Sequence, residues 1–330
     1  MTKRNNIVGI FLLAAGLLAG CAGINEPDPN RQNEIAVTTG VEQMGRGMAP
    51  RYAKTYDNLE SLKNEAHFTC VAYEADSDPL TAYIETTTVD WNSSESVWEF
   101  NSGADHYYWP LPTSNGGEYP SLDFFAYMPA TPPSYIQNLI YEANHNVSFD
   151  CVNLPMGDTL QNGEKEFIYG MALGQNKTNA STGVPLVFKH PFARVKLQLA
   201  SSHPDIIINN ITFKSIKNNG SFAYTHSTTD YSWTPSGVAT NLAFTDTTEY
   251  KNVPASAQAI GKAFIVIPQA WAGEIEVNAS WNDWGDTPVP HQLSTTITAV
   301  TWRVGYSYTY TFNITPEDLT VNLTNFTEQW

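Results

Sequence analysis

A cysteine at position 21 stands directly after Leu18-Ala19-Gly20, and this spacing gives its thiol a recognisable chemistry. A positively charged N-terminus and an apolar stretch over 7–19 come before it. The stretch is too short for a membrane span, which needs about 20 residues, but it suits the hydrophobic part of a secretory signal. Together these features resemble the bacterial lipobox, in which the thiol receives a diacylglycerol. We predict a lipoprotein signal peptide over 1–20 and lipidation of Cys21, with an ordinary signal peptide as the alternative.

The other residue types that catalyse reactions or bind metal ions lack the spacing that such chemistry requires. The chain has no HExxH or GxSxG sequence and no phosphate-binding loop. His190 lies between apolar residues, so we interpret it as a core or turn histidine rather than as a ligand or base. The pairs Asp76 and Asp78, and Asp283 and Asp286, lack the glycine and distal glutamate of an EF-hand, which favours solvated loop acids. We therefore predict no enzyme activity, no metal site and no cofactor.

Tryptophans offer a different kind of chemistry, because their rings can stack on sugars. Four of them crowd the C-terminal half, at Trp271, Trp281, Trp284 and Trp302. If they are exposed, they predict a non-polymerising surface lipoprotein that binds glycans or host proteins. If they are buried, they are core residues, which we favour because tryptophan is highly buried on average.

The charge of the chain limits its partners. Its 330 residues carry a formal net charge of −16 at pH 7, which repels phosphate backbones, so we expect no nucleic-acid partner. After the first apolar stretch, no other is long enough to span a bilayer. We expect contact with a membrane through acyl chains on Cys21, since several chains anchor a protein more firmly than one.

Two further cysteines, Cys70 and Cys151, leave two interpretations open. In an oxidising cell envelope they can pair as a disulfide. Alternatively, each is a buried thiol that packs as a small hydrophobic residue. A disulfide requires about 4.4–6.8 Å between the two Cα atoms, and the sequence does not give that distance.

The elements that hold these residues are mostly strands. Over 306–314, apolar and polar residues alternate, which is typical of a half-buried antiparallel strand. The stretch 194–199 repeats the pattern, which places Arg194 in a predicted strand. Arg303 is also expected in a strand. By contrast, the spacing of apolar residues over 57–64 predicts one short helix. Charged residues make up only 15% of the chain, too few for long amphipathic helices. We therefore predict an all-β protein of paired sandwiches.

Composition also divides the chain into segments. The Pro- and Asn-rich residues after the signal predict a flexible tether over 21–33. The most polar stretch near the middle, 174–183, is a candidate linker. We predict an N-terminal β-sandwich domain over 34–178 and a C-terminal one over 179–330, in keeping with common domain sizes.

Several stretches resemble the fimbrillin (Mfa-like) family of envelope lipoproteins from Gram-negative anaerobes. They are YYWP at 107–110, DFFAYMP at 123–129, FIYG at 167–170, VPLVFKHPFARV at 184–195, FIVIPQ at 264–269, TWRVGYSYTY at 301–310 and the terminal Trp330. The resemblance extends from about residue 34 to the end of the chain. It implies two transthyretin-like Greek-key β-sandwich domains in tandem and a role as a subunit of an adhesive pilus, or fimbria.

The same resemblance implies how the subunit is processed. An Arg-directed protease removes the lipidated arm with its first strand, and a strand from a neighbouring subunit fills the vacated groove. In this sequence 34–51 matches the removable strand and loop, with Ile35 and Val37 on one face and Arg46 or Arg51 at the cleavage point. The implied partners are other pilus subunits, identical or paralogous, and the implied location is the outer membrane and the fimbrium.

The tail of the chain is the candidate donor strand. Leu319, Val321 and Leu323 alternate with polar residues, which predicts a strand with one apolar face and one wet face. Such a strand suits a donor, because an added strand gains main-chain hydrogen bonds while alternate side chains fill pockets. The other interpretation is an ordinary last strand of the C-terminal domain.

Overall fold

Alternating side chains place most of this chain in strands, and a computed structural model gives their pairing. The structure describes residues 33–41, 59–75, 77–78, 80–100, 106–112, 114, 117–155, 165–203, 206–244, 255–282 and 287–327. In chain order the elements are β1 (Val37–Val41), α1 (Leu59–Glu65), β2 (His67–Glu74), β3 (Ala82–Asn92), β4 (Val97–Phe100), β5 (Leu122–Met128), β6 (Ile136–Tyr141), β7 (Val147–Cys151), β8 (Ile168–Gln175), β9 (Val184–Lys189), β10 (Ala193–Ser201), β11 (Ile207–Ile216), β12 (Asn219–Thr225), β13 (Asp230–Ser236), β14 (Thr240–Phe244), β15 (Gln258–Val266), β16 (Ala270–Trp281), β17 (Val289–Thr301), β18 (Ser307–Ile314) and β19 (Leu319–Thr327). The predicted all-β class is confirmed.

Seven strands close into a barrel, in the order β1-β4-β3-β2-β5-β8-β9. Neighbouring strands are antiparallel except for β1 and β9, which are parallel. Because side chains alternate across a strand, every second residue points inward, and Phe68, Phe124 and Phe188 are fully buried there. The ring centroids of Phe68 and Phe188 lie 5.4 Å apart in an edge-to-face contact. We call this interior the barrel core.

Two four-stranded sheets enclose a second interior, the sandwich core. Their orders are β15-β10-β18-β19 and β14-β11-β16-β17. Phe213 of β11 lies between them, with its ring 5.3 Å from that of Tyr310 on β18. The sandwich core begins at Ala193 and extends to Leu319.

Strand β18 differs from its predicted pattern. It pairs in parallel with β10 and antiparallel with β19, and its aromatic residues face the sandwich core as predicted. However, Ser307, Thr309 and Thr311 on its other face are buried too, so the half-buried prediction is wrong. Hydrogen bonds allow this burial of hydroxyl groups: Arg194 Nε, for example, donates to Ser307 Oγ at 3.2 Å.

A third sheet, β13-β12-β7-β6, contains strands from both halves of the chain. Strand β12 pairs antiparallel with β7, from Gly220 opposite Cys151 to Tyr224 opposite Val147. This sheet packs on outward-facing residues of β2, β5 and β8, such as Phe125, and forms a third core. The hairpin β12–β13 therefore completes a sheet that β6 and β7 begin.

The predicted domain boundary between 178 and 179 lies in the turn between β8 and β9, which pair with each other in the barrel. The side chain of Asn176 accepts hydrogen bonds from the backbone N–H groups of Thr178 and Asn179, so these polar residues form a hairpin turn. Polar composition predicts turns and linkers equally well, which explains the choice of this stretch as a linker. The division into tandem transthyretin-like domains over 34–178 and 179–330 stays a prediction.

The two described cysteines are not paired. Cys70 lies in the barrel core and Cys151 in the third core, and both are buried free thiols. The disulfide alternative is therefore wrong in this structure, and the thiols pack as small hydrophobic residues. Burial raises the pKa of both thiols well above the usual range, which keeps them protonated.

The short helix predicted over 57–64 is present as α1, with Leu62 buried in the barrel core. Apolar residues at i and i+3 gave the helical signal, and one of them packs inward as that spacing requires. In the part of the chain that the structure describes, no helix has the length and hydropathy needed to cross a membrane.

Candidate functional site

Strand β1 closes the barrel, which makes its two edges the candidate site. It pairs in parallel with β9 over five residues, from Val37 opposite Val184 to Val41 opposite Phe188. On its other side it pairs antiparallel with β4 at Val37 opposite Trp98. Removing β1 opens the barrel between β4 and β9 without separating any other strand pair.

The side chains of this segment alternate between the barrel core and solvent. Ile35 and Val37 point into the core and are each 3% exposed, whereas Ala36 and Thr38 are exposed. Ile35 and Val37 share one face, as the sequence predicts, although the strand begins at Val37 rather than at residue 34. Each buried aliphatic side chain contributes about 1.5–3 kcal/mol relative to an exposed one, so both hold the segment in place.

The residues just before β1 pair with a second segment, 106–112, which we call the strap. The N–H of Ile35 donates to the carbonyl of Tyr107 at 2.8 Å, and the N–H of Trp109 donates to the carbonyl of Asn33 at 2.9 Å. The carboxylate of Glu34 lies 2.5 Å from Nδ1 of His106. The groove that holds 33–41 is therefore formed by the strap along its first residues and by β9 along its last five, with β4 on the other side at Val37.

The strap is attached to the barrel on both of its faces. Trp109 is buried in the barrel core, Tyr107 is partly buried and packs against the same core, and Tyr108 is exposed. The hydroxyl of Tyr83 on β3 donates to the carbonyl of Tyr108 at 2.7 Å. This role of the strap was not predicted from the sequence. Tyr107, Tyr108 and Trp109 are three consecutive aromatic residues, so they show no alternation of apolar and polar types that would indicate a strand partner.

The predicted donor strand occupies an ordinary position in this structure. Strand β19 pairs with β18 from Leu319 opposite Ile314 to Thr327 opposite Ser307, and it is the last strand of its sheet. Leu319 is 4% exposed, and Val321 and Leu323 are half-buried against the sandwich core. The alternation of these three residues is as predicted, and the donor role stays a prediction.

The structure describes the two arginines that were predicted to lie in strands, Arg194 and Arg303. Arg194 is buried in β10, whereas Arg303 is exposed in the turn between β17 and β18, so its placement in a strand was wrong. The turn forms because the N–H of Tyr306 donates to the carbonyl of Arg303, and Gly305 adopts a positive φ of 70°. The predicted lipidation and cleavage residues lie outside the described residues: Cys21, Arg46 and Arg51.

Three of the four tryptophans considered for sugar binding are core residues. Trp271, Trp281 and Trp302 are each at most 2% exposed. The rings of Trp271 and Trp302 stack with centroids 5.1 Å apart, and Trp302 Nε1 donates to the hydroxyl of Tyr310 at 3.0 Å. These three rings do not offer a surface to sugars. Trp284 lies outside the described residues.

His190 is a core histidine, which agrees with the interpretation of its apolar sequence neighbours. Its Nδ1 lies 2.8 Å from the carboxylate of Glu166, and both side chains are buried. Among the described residues, no three His, Cys, Asp or Glu side chains are arranged to hold a metal ion. Asp78 is exposed, and the other acids considered for Ca²⁺ lie outside the described residues: Asp76, Asp283 and Asp286.

Comparisons with known proteins agree with this architecture. A fimbrial protein from Bacteroides vulgatus superposes with a TM-score of 0.62 at 14% identity, covering 90% of this chain and 99% of that one. A candidate cell adhesion protein from Bacteroides ovatus gives a TM-score of 0.53 at 17% identity, covering 90% and 96%. Another, from Bacteroides uniformis, gives 0.51 at 13% identity, covering 88% and 96%. At these identities the similarity is one of fold.

A comparison with curated protein sequences found no match. The family model of fimbrillin-like proteins, however, matches residues 55–330, which is most of the chain and includes β2 to β19. This protein therefore belongs to the fimbrillin-like family.

Proposed function

We propose that this protein is a structural subunit of an adhesive surface pilus, exported as a lipidated precursor and assembled by protease-triggered strand exchange. The family supports a pilus-related role, and the observation that carries the assembly step is the position of β1 in the barrel. Because β1 alone bridges β4 and β9, its removal leaves an open groove lined by β4, β9 and the strap. An open sheet edge of this kind readily accepts another strand.

An incoming strand has to meet two requirements set by the segment that it replaces. It has to pair in parallel with β9, and it has to place apolar side chains where Ile35 and Val37 lie. Strand β19 of a neighbouring subunit has nine residues and carries three alternating apolar side chains, so it meets the second requirement. Leu319 is already buried in its own sandwich core, so the gain in apolar burial on exchange comes mainly from Val321 and Leu323, which are only half-buried there.

The same proposal gives the protein its partners and location. The partners are other pilus subunits, identical or paralogous, and the membrane contact is the lipid on Cys21. The alternative, a non-polymerising surface lipoprotein that binds glycans or host proteins, loses the support of Trp271, Trp281 and Trp302, because these rings are buried.

Replacing the predicted cleavage points tests the assembly step. In the full chain, Arg46→Gln with Arg51→Gln should abolish the ladder of polymers on partially denaturing gels, because β1 then stays in its groove. Arg303→Gln is the matched control, since Arg303 is exposed in a turn but cleavage of the chain there would not release β1. N-terminal sequencing of the wild-type surface protein should begin at residue 47 or 52. Polymers formed equally by the double variant would contradict the proposal.

Replacing Cys21 tests the membrane step separately. Cys21→Ala should move the protein from the membrane fraction to the soluble fraction and end labelling by a fatty-acid probe, because the thiol is the proposed site of acylation. Cys70→Ala is the matched control, since that thiol is buried in the barrel core. If the Cys21 variant still labels, the lipid is attached elsewhere.

A further inference from the structure

We propose that two copies of this chain associate side by side through the edge of β17, paired antiparallel across a two-fold axis. The surface belongs to the sandwich and not to the groove of β1. The proposal goes beyond the pilus assembly described above and does not depend on strand exchange. It rests on the position, the charge and the side-chain pattern of β17.

Strand β17 is long and lies at the end of its sheet. Among the described strands it pairs only with β16, from Val289 opposite Trp281 to Thr301 opposite Ala270. Its 13 residues are roughly twice the average strand length of about 5–6. A long edge strand presents a row of backbone donors and acceptors that another strand can pair with.

This edge lacks the charges that normally prevent such pairing. Strand β17 contains no Asp, Glu, Lys or Arg, and neither does β19, which contacts it from the facing sheet. On the opposite side of the sandwich, β15 carries Lys262 and β14 has only five residues. Pro290 blocks pairing only at the beginning of β17. In a chain with a net charge of −16, a neutral edge is where two copies can meet without direct repulsion.

The sandwich core is also less completely covered on this side. The half-buried apolar residues that pack against it are Leu293, Ile297 and Val300 on β17, Tyr306, and Val321 and Leu323 on β19. All but Tyr306 therefore belong to the two edge strands of one side. A second strand against β17 would remove part of this apolar surface from water, which favours association.

The pattern of β17 fits a second copy of itself. With the two-fold axis at Thr295, Leu293 of one copy lies opposite Ile297 of the other on the core face. On the outer face, Ser294 lies opposite Thr296, so two exposed hydroxyl residues meet. Both kinds of cross-strand pair stabilise antiparallel sheets. Such a contact uses the same surface on both copies, so it closes as a dimer and joins subunits laterally rather than end to end.

Cysteine cross-linking tests the contact in the full chain. Thr295→Cys should give a disulfide-linked dimer on non-reducing gels, because residue 295 of one copy lies opposite residue 295 of the other across the axis. The Arg46→Gln and Arg51→Gln changes are included so that strand exchange plays no part. Ala243→Cys, exposed on the opposite edge strand β14, is the matched control and should stay monomeric. Because Thr295 is half-buried, Ser294→Cys with Thr296→Cys serves as a second, exposed version of the test.

Charge insertion tests the same contact without a covalent bond. Ser294→Glu with Thr296→Glu should weaken dimerisation at least tenfold in sedimentation of the detergent-extracted full chain, because four carboxylates would meet at the axis. They would also lie beside Glu276 and Glu274, which are opposite these two positions on β16. Ala243→Glu should leave dimerisation unchanged. Near-ultraviolet circular dichroism checks that each variant is folded. Cross-linking no greater than in the Ala243→Cys control, or unchanged dimerisation of the double glutamate variant, would overturn the proposal.

Discussion

The first and last described strands have similar sequence patterns but different surroundings. β1 closes a barrel and has neighbours on both sides, and the two apolar residues of its segment, Ile35 and Val37, are both 3% exposed. β19 lies at a sheet edge, and of its three alternating apolar residues only Leu319 is buried to a similar degree. Alternation of apolar and polar residues therefore predicts a strand, whereas the number of neighbouring strands decides how strongly that strand is held.

Direction adds a second difference between the two strands. β1 is parallel to β9, whereas β19 is antiparallel to β18. On the proposed strand exchange, β19 would leave an antiparallel edge and enter a parallel groove in a neighbouring subunit. Its nine residues suit the segment 33–41, which is held by the strap and by β9. The groove could therefore accept β19 along its whole length.

The largest expected effect comes from removing β19. Deleting residues 319–330 should abolish polymer ladders in a chain that still folds and is still processed, because the subunit then has no strand to donate. Gel ladders and near-ultraviolet circular dichroism check the two parts of this expectation. The double variant Val321→Asn with Leu323→Asn is a milder version that keeps the strand but removes its apolar residues. Unchanged polymers would show that β19 is not the donor, and a failure to fold would show that it is part of the core.

An intermediate effect should separate the two strands by stability. Ile35→Ala should lower the free energy of unfolding of the uncleaved chain by about 2–5 kcal/mol, because it leaves a cavity in the barrel core. Leu323→Ala should cost roughly 1 kcal/mol, since that side chain is only half-buried. Urea unfolding measures both, with Leu319→Ala as the buried control within β19. Equal costs for Ile35 and Leu323 would remove the proposed difference between a closed and an open position.

The smallest effect concerns the contact between His106 of the strap and Glu34, just before β1. His106→Ala should cost under about 1 kcal/mol, because the imidazole is half-exposed and exposed pairs contribute little. Glu34→Gln should cost a similar amount, and the double variant should cost no more than either single one. Urea unfolding of the single and double variants measures these values. Fully additive costs would mean that the two side chains act independently.

Local patterns determined a large part of this protein. The period of two predicted the strands and the shared face of Ile35 and Val37, because the direction of a side chain depends only on its position along a strand. The absence of motif spacing led to the prediction of a protein without a catalytic site, which stays a prediction. The spacing of Leu59 and Leu62 predicted α1, since a helix brings i and i+3 to one face.

Tertiary structure alone decided which strands are neighbours. The sequence does not show that β1 meets β9 and the strap, that β12 joins β7, or that Cys70 and Cys151 lie in different cores. It also did not show that Ser307, Thr309 and Thr311 are buried, because a second covering layer comes from distant residues. Pairing between strands joins residues far apart in the chain, and its energy depends on the whole packed arrangement, whereas alternation is set by the backbone of each strand alone.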